Sequence, residues 1–305
     1  MLAYIAKRIL QALFVLFVLT AFVFSLLHLS GDPTALLLPA DATPEQIQQM
    51  REWLGLDQPI VVQYIRYLAR LVHGDLGCSY RMNLPVLVII REFLPNTLLL
   101  GVFAILFATL LSLPLGVIAA VKRDSPVDFA ATLIATLGQS MPTFWLAILL
   151  ILAFGVKLRL LPVSGIGGWK HFILPIISLG WYSTALLTRV LRSSMLEVLN
   201  ADYVMVARSK GLHEASVILK HALRNASLPV ITVWGLQLGA VLMGSVATET
   251  VFAWPGIGRL TVEAVLGRDY PVVLGAVLVF GTLFVLLNTS VDLVYCLLDP
   301  RISYT

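Results

Sequence analysis

Apolar residues dominate six stretches of this chain, at about 9–29, 98–121, 130–154, 173–191, 228–251 and 272–298. Each approaches or exceeds the roughly 20 residues that carry a helix across about 30 Å of hydrocarbon. Six membrane spans are therefore expected. Between the first two the pattern changes: Thr43-Pro44-Glu45 predicts a helix start, with Thr43 as the cap and Pro44 at the first helical position. Ile47, Met50 and Leu54 then share one face, and Gly55 ends the helix. After Asp57-Gln58-Pro59, Val61, Ile65, Leu68 and Val72 recur at helical spacing while Arg66 and Arg70 face elsewhere, until "HGDLG" breaks the run. These two amphipathic helices rest on the outer membrane surface or on the neighbouring spans, as a packed cap or as a substrate-handling surface. Before the last span, Trp254-Pro255-Gly256 and Gly258 mark a turn, Leu260–Leu266 a short amphipathic helix, and Pro271 the re-entry.

Composition agrees with the pattern. The 305 residues are 59% hydrophobic and only 12% charged, with a mean hydropathy of +0.91; soluble domains hold about 45–50% apolar and about 25% charged residues. An all-α integral membrane protein is expected, as a single domain over residues 1–305. The first span follows Lys7-Arg8, but it is too long for a signal peptide, and "HLSGDPTA" is a poor cleavage site.

The net charge of +4 does not point to nucleic acid, because the basic residues flank the apolar runs. Lys7, Arg8, Lys122, Arg123, Arg189, Arg192, Arg208, Lys210, Lys220, Arg224 and Arg301 fall on one side. The short loops of the other side hold Lys157, Arg159, Lys170, Arg259 and Arg268, and the long segment 30–97 is exempt from the charge rule. Both termini are expected in the cytoplasm, with 30–97 as an extracytoplasmic insert and 192–227 as a cytoplasmic loop.

Chemistry is scarce. No Gly-rich phosphate loop is present, since none of the six lysines stands between Gly and Ser or Thr. "HEASV" lacks the second His of a zinc helix, the five histidines are scattered, and Cys78 and Cys296 are too few for a disulfide framework. No metal, cofactor or catalytic set is expected. Ion-coupled transporters carry ionisable residues near mid-span, but here only Glu249 and Asp292 approach that position. They line a path or join helices, as do Gln237, Ser245 and Asn288. Energy for any transport must come from another protein.

The loop "ADYVMVARSKGLHEASVILKHALRNASLP" supplies a handle for it. Asp202 is positioned to cap a helix over Tyr203–Lys210, with Lys210 at its C-terminal end and Gly211 as a left-handed stop. Val204, Met205, Val206 and Ala207 make that helix too apolar for a solvated loop. A second helix is expected from about His213 to Asn225, ahead of Pro229.

"DYVMVARSKGL" and "KHALRNASLP" resemble the EAA loop of permease subunits in ATP-binding-cassette importers, above all the oligopeptide/dipeptide/nickel branch. "GDPTALLL", "LGLDQPIVVQY", "LPLGVIAAVKR", "SMPTFWLA", "TRVLRSSMLEVL", "ETVFAWPGIGR", "RDYPVV" and "VDLVYCLLDPRI" extend the resemblance over almost the whole chain. Two departures stand in the loop: Met205-Val206-Ala207 replaces Glu-Ala-Ala, and Arg224 replaces a proline. The resemblance implies the type I importer fold in a bacterial inner membrane, beside a second homologous permease. It further implies two cytosolic ATPase subunits and an extracytoplasmic substrate-binding protein. Asp202, Tyr203, Val204, Ala207, Arg208, Lys210, Gly211 and Leu212 are then the expected coupling residues, with Val204, Ala207 and Leu212 as contact surface. Ser140, Met141, Trp145 and Gln237 are the candidate pathway residues. Peptides, glutathione-like peptides and nickel chelates remain as substrates; an ion-driven secondary transporter is the rival class.

The charge pattern makes topology testable. A cysteine at Ser216 should react with an impermeant thiol reagent only from the cytosol, and one at Gln48 only from outside. Labelling of both from one side would exclude the six-span arrangement.

Overall fold

The computed structural model describes residues 2–29, 31–39 and 41–298. The side chains of Asp292 and Cys296, and all of Arg301, fall outside the described residues. The first apolar stretch forms α1 (Leu2–Leu29), and α5 (Val86–Val121) contains the second. α8 (Lys170–Leu199), α11 (Leu223–Val251) and α13 (Tyr270–Leu298) contain the fourth, fifth and sixth. Among the described residues, five helical runs are long and apolar enough to cross a membrane by themselves.

The span expected at 130–154 is interrupted by a sharp bend. α6 (Pro126–Ser140) and α7 (Thr143–Leu150, prolonged as a π-helix over Ile151–Lys157) meet at 109°. Pro142 explains the break, because its ring disfavours helical backbone at the preceding residue. Met141 accordingly adopts φ −92°, ψ 123°. Pro175 and Pro229, by contrast, lie inside α8 and α11 without ending them.

The chain divides into two compact units. One comprises residues 1–97 and 255–289. Its core gathers Phe24, Leu27, Tyr67, Ile89, Leu260 and Val273 from α1, α4 (Ile60–Val72), α5, α12 (Ile257–Leu266) and α13. A short α2 (Thr34–Leu37) precedes α3 (Pro44–Leu54). α3 begins as expected at Thr43, which forms a reciprocal capping box with Gln46, and ends at Gly55 with φ +72°. In α4 the packed face is not the one the spacing suggested. Tyr64, Tyr67, Leu68 and Leu71 face the core, whereas Val61, Ile65 and Val72 are exposed. Tyrosine rings can bury their bodies in a core, which a count of aliphatic positions overlooks. The buried Asp269 carboxylate accepts from the Ser79 hydroxyl and from the Tyr80 and Arg81 amides, tying the 79–81 turn to the start of α13.

Of the described residues, the other unit comprises 98–254 and 290–298. α8 is its centre, packed by α6, α7 and α11. At Gly180 a Cβ would lie 2.6 Å from the Ala104 carbonyl oxygen, so α5 and α8 meet there backbone to backbone. An ion pair joins two of its long helices. Arg192 Nε and Nη2 donate to Asp128 Oδ1 and Oδ2 at 2.6 and 2.7 Å, joining α8 to the first turn of α6. Asp128 is itself positioned by its amide donating to the Ser125 N-cap hydroxyl at 3.3 Å.

Asp128→Asn removes the charge from a buried, bidentate partner of Arg192. A loss of about 2 kcal/mol is expected from hydrogen bonds to a charged group, read as a lower thermal unfolding midpoint in detergent. The loss should shrink when Arg192→Gln is already present. Parental stability of Asp128→Asn would show that the pair contributes nothing.

Candidate functional site

The segment between α8 and α11 is shorter than the expected 192–227, because α8 continues to Leu199 and helix resumes at Glu214. Within it stands α9 (Asp202–Ser209). Its N-cap is Ala201, without a side-chain bond, so the cap expected at Asp202 is corrected: Asp202 is the acid of the first turn. There a carboxylate still faces the positive end of the helix dipole. Lys210 forms the C-cap, and Gly211 takes φ +74°, the left-handed stop the sequence required. α10 (Glu214–Ser216) continues as a π-helix over Val217–Ala222 and directly into α11. The second loop helix expected to stop near Asn225 is therefore the root of the fifth span, a 38-residue run from Glu214 to Val251.

The apolar residues of α9 divide by face. Val204 is 0% exposed and Ala207 is buried, and both pack on Val217 and Val198. The expectation that Val204 and Ala207 form an outward contact surface is thus corrected. They are anchors, holding α9 to the end of α8 and the root of α11. Tyr203, Met205, Val206 and Leu212 are the exposed apolar residues, Met205 at 60%.

Polar contacts fix the same arrangement. Asn225 Nδ2 donates to the Tyr203 hydroxyl at 2.9 Å. Arg208 grips Glu214 with Nη2 to Oε1 at 2.7 Å and Nε to Oε2 at 3.2 Å. That bond raises the pKa of the Arg208 guanidinium, which stays a fixed cation. The result is a stiff bracket with an apolar and basic outer face.

Of the candidate pathway residues, Ser140, Met141 and Trp145 come together at the break between α6 and α7. Ser140 Oγ donates to the Thr136 carbonyl at 2.9 Å, and Trp145 is exposed. Gln237 stands on α11; it is buried, and its Nε2 donates to Ser183 Oγ of α8 at 2.9 Å. Ser245 turns back on its own helix, donating to the Leu242 carbonyl at 2.8 Å. Among the described residues no three His, Cys, Asp or Glu side chains converge as metal ligands. Sequence reasoning missed the Asp128–Arg192 bridge. Its visible signal was Ser125-Pro126 with an acid in the first turn of α6.

Comparison with known proteins covers the chain from end to end. Residues 112–304 match the family described as binding-protein-dependent transport system inner membrane component. Residues 1–101 match the N-terminal part of such membrane components. The dipeptide transport system permease protein DppB of Alkalihalophilus pseudofirmus is 42% identical over 333 residues, covering 100% of both chains. The glutathione transport system permease protein GsiC of Escherichia coli K12 is 42% identical over 306 residues, again covering 100% of each. Among solved structures, the MetNI methionine ABC transporter in inward facing conformations aligns with a TM-score of 0.59 at 17% identity. That alignment covers 68% of this chain and 95% of the other, and it supports the fold alone.

Val204→Ala should cost the bracket about 2 kcal/mol, for two buried methyl groups and the cavity they leave. Hydrogen exchange of the amides over residues 202–211 should accelerate accordingly, while the exposed Met205→Ala leaves it unchanged. Equal exchange in the two variants would mean that α9 is not anchored through Val204.

Proposed function

The chain belongs to the family of binding-protein-dependent transport system inner membrane components, and we propose from that membership that it forms one half of an importer's solute pathway. It is a multi-pass membrane permease of the ATP-binding-cassette type, with the all-α type I importer fold. A second, homologous permease completes the pathway within the lipid bilayer. Two cytosolic ATPase subunits hydrolyse ATP, and an extracytoplasmic binding protein delivers the solute. Both termini and the 200–222 connection face the cytosol.

One observation carries the mechanical reading. α9 is pinned from behind by Val204 and Ala207 while Tyr203, Met205 and Val206 point outward. An apolar helix face of this kind suits a groove in a partner, since exposed apolar residues gain by burial. Its backing matters as much as its face. Displacement of α9 by an ATPase passes into Val198 at the end of α8 and Val217 at the root of α11. Two spans then move with the loop. Arg208 is held by Glu214 of the same chain, so the contact does not need the acid that Met205 replaces.

The solute is a small peptide or a glutathione-like peptide. Relatives that transport dipeptides and glutathione support this class over the nickel-chelate alternative. Ser140, Met141 and Trp145 contribute to the pathway at the α6–α7 break, where the interrupted helix frees backbone groups near polar side chains.

Gly211 tests the coupling. No heavy atom lies within 4 Å of a Cβ placed there, so a side chain meets strain and not a clash inside this chain. Positive φ costs a non-Gly residue roughly 1–2 kcal/mol. Gly211→Val should insert in the membrane and pair normally, yet lose substrate uptake or solute-stimulated ATPase activity relative to Ser216→Ala at matched expression. Uptake equal to that control would take the coupling role away from this loop.

A further inference from the structure

The import reading leaves one cavity unused. It lies wholly within the unit formed by residues 1–97 and 255–289 and measures about 540 Å³. That is within the ~300–1,000 Å³ typical of small-molecule sites. Arg66, Tyr67 and Arg70 of α4 form one wall, Glu52 and Trp53 at the end of α3 another, and Tyr80 lines it as well.

Its electrostatics are lopsided. Arg66 and Arg70 stand one helical turn apart and are exposed, and neither guanidinium has a hydrogen-bond or ion-pair partner among the described residues. Like charges at this spacing repel unless an anion sits between them. Glu52 is the single acid on the wall, and Gln48 Nε2 donates to it at 3.0 Å. Tyr67 is only 5% exposed, and its hydroxyl has no partner among the described residues. Burial pushes the Tyr67 phenol up to about 12, so it keeps its proton at neutral pH and can donate to an anion. Tyr80 is pushed to about 12 by burial as well.

The helix also indicates which side the ligand comes from. At 100° per residue, the exposed apolar stripe of Val61, Ile65 and Val72 lies across α4 from Arg66 and Arg70. An apolar stripe seeks lipid or a protein surface. The cavity therefore opens away from whatever the stripe covers.

We propose that this cavity binds a small anion, a carboxylate or phosphate group on an apolar body. Arg66 and Arg70 neutralise the charge, the Tyr67 hydroxyl donates a hydrogen bond, and Trp53 covers the apolar part. The site is independent of which solute the importer carries.

Binding is measured by titration calorimetry on the assembled importer in phosphatidylcholine nanodiscs. The probes are N-acetylphenylalanine, a carboxylate, and N-acetylphenylalaninamide, its neutral counterpart. The carboxylate should bind and the amide should be at least about tenfold weaker. Tyr67→Phe should weaken the carboxylate about tenfold, as expected for one hydrogen bond to a charge. Arg66→Gln with Arg70→Gln should abolish binding, while Arg70→Lys retains it within a few-fold. Unchanged thermal unfolding of each variant separates lost binding from lost folding. Short-chain phosphatidylglycerol serves as competitor: displacement of the carboxylate supports the anion site with a lipid headgroup as its source, and absence of displacement supports a soluble source. Equal binding of carboxylate and amide, or parental binding by both Tyr67→Phe and the double arginine variant, overturns the proposal.

Discussion

Hydrocarbon offers no partner to a backbone amide or carbonyl, and most of this structure follows from that deficit. A peptide group left unpaired there costs several kcal/mol, so the chain crosses as helix, whose groups satisfy one another. Even the hydroxyls comply. Thr109, Thr136, Ser140, Thr184, Thr188 and Thr250 each donate to a carbonyl four residues back in the same helix. The exception is the break at Met141-Pro142, and there the Thr136 and Ser140 hydroxyls bring polar atoms up to the interruption. Non-helical backbone at such a place is tolerated where it borders protein or a water-filled path.

The same deficit governs how the helices hold together. Lipid tails are as apolar as the side chains, so burial of leucine against leucine drives little association in the membrane. Close approach and polar bonds do more. Gly180 lets α8 touch the backbone of α5 at Ala104, Gln237 bonds Ser183 across α11 and α8, and Trp234 Nε1 donates to Thr109 Oγ1 at 2.9 Å. The bidentate Asp128–Arg192 pair ties the start of α6 to the inner turns of α8.

The loop between α8 and α11 works by different physics. In water, apolar burial does drive association, and α9 uses it on one side only. Val204 and Ala207 turn into the structure, while Met205 and Val206 face outward. A two-turn helix has little stability of its own, so its rigidity comes from the Val198–Val217 seat and the Arg208–Glu214 grip. In the proposed coupling role, a partner pressing on the outer face would move a braced part. In the unit of residues 1–97 and 255–289 the buried Asp269 plays a comparable role, gathering the Ser79 hydroxyl and two amides at the root of α13.

Much of this was legible in the residues. Long apolar runs, the Thr43-Pro44 start, the Gly55 and Gly211 stops and the colinear family motifs act through local chemistry, which a neighbour in sequence suffices to determine. The bend at Pro142 was legible in principle, but Pro175 and Pro229 carry the same signal and stay inside continuous helices. Only packing and the freed groups' new partners decide among the three. Helical spacing likewise indicated that α4 and α9 were amphipathic without saying which apolar residues were covered. Tyr67, Val204 and Ala207 went inside because residues 24, 217 and 198, distant or opposite in the chain, arrived against them. The sequence alone determined which segments are helical, the glycine stops at Gly55 and Gly211 and which family the chain joins, since these depend on covalent geometry and on transfer from water. Tertiary structure alone decided which faces are buried, which charges pair and which surfaces stay free for partners, because burial and pairing are properties of contacts between residues far apart in the chain.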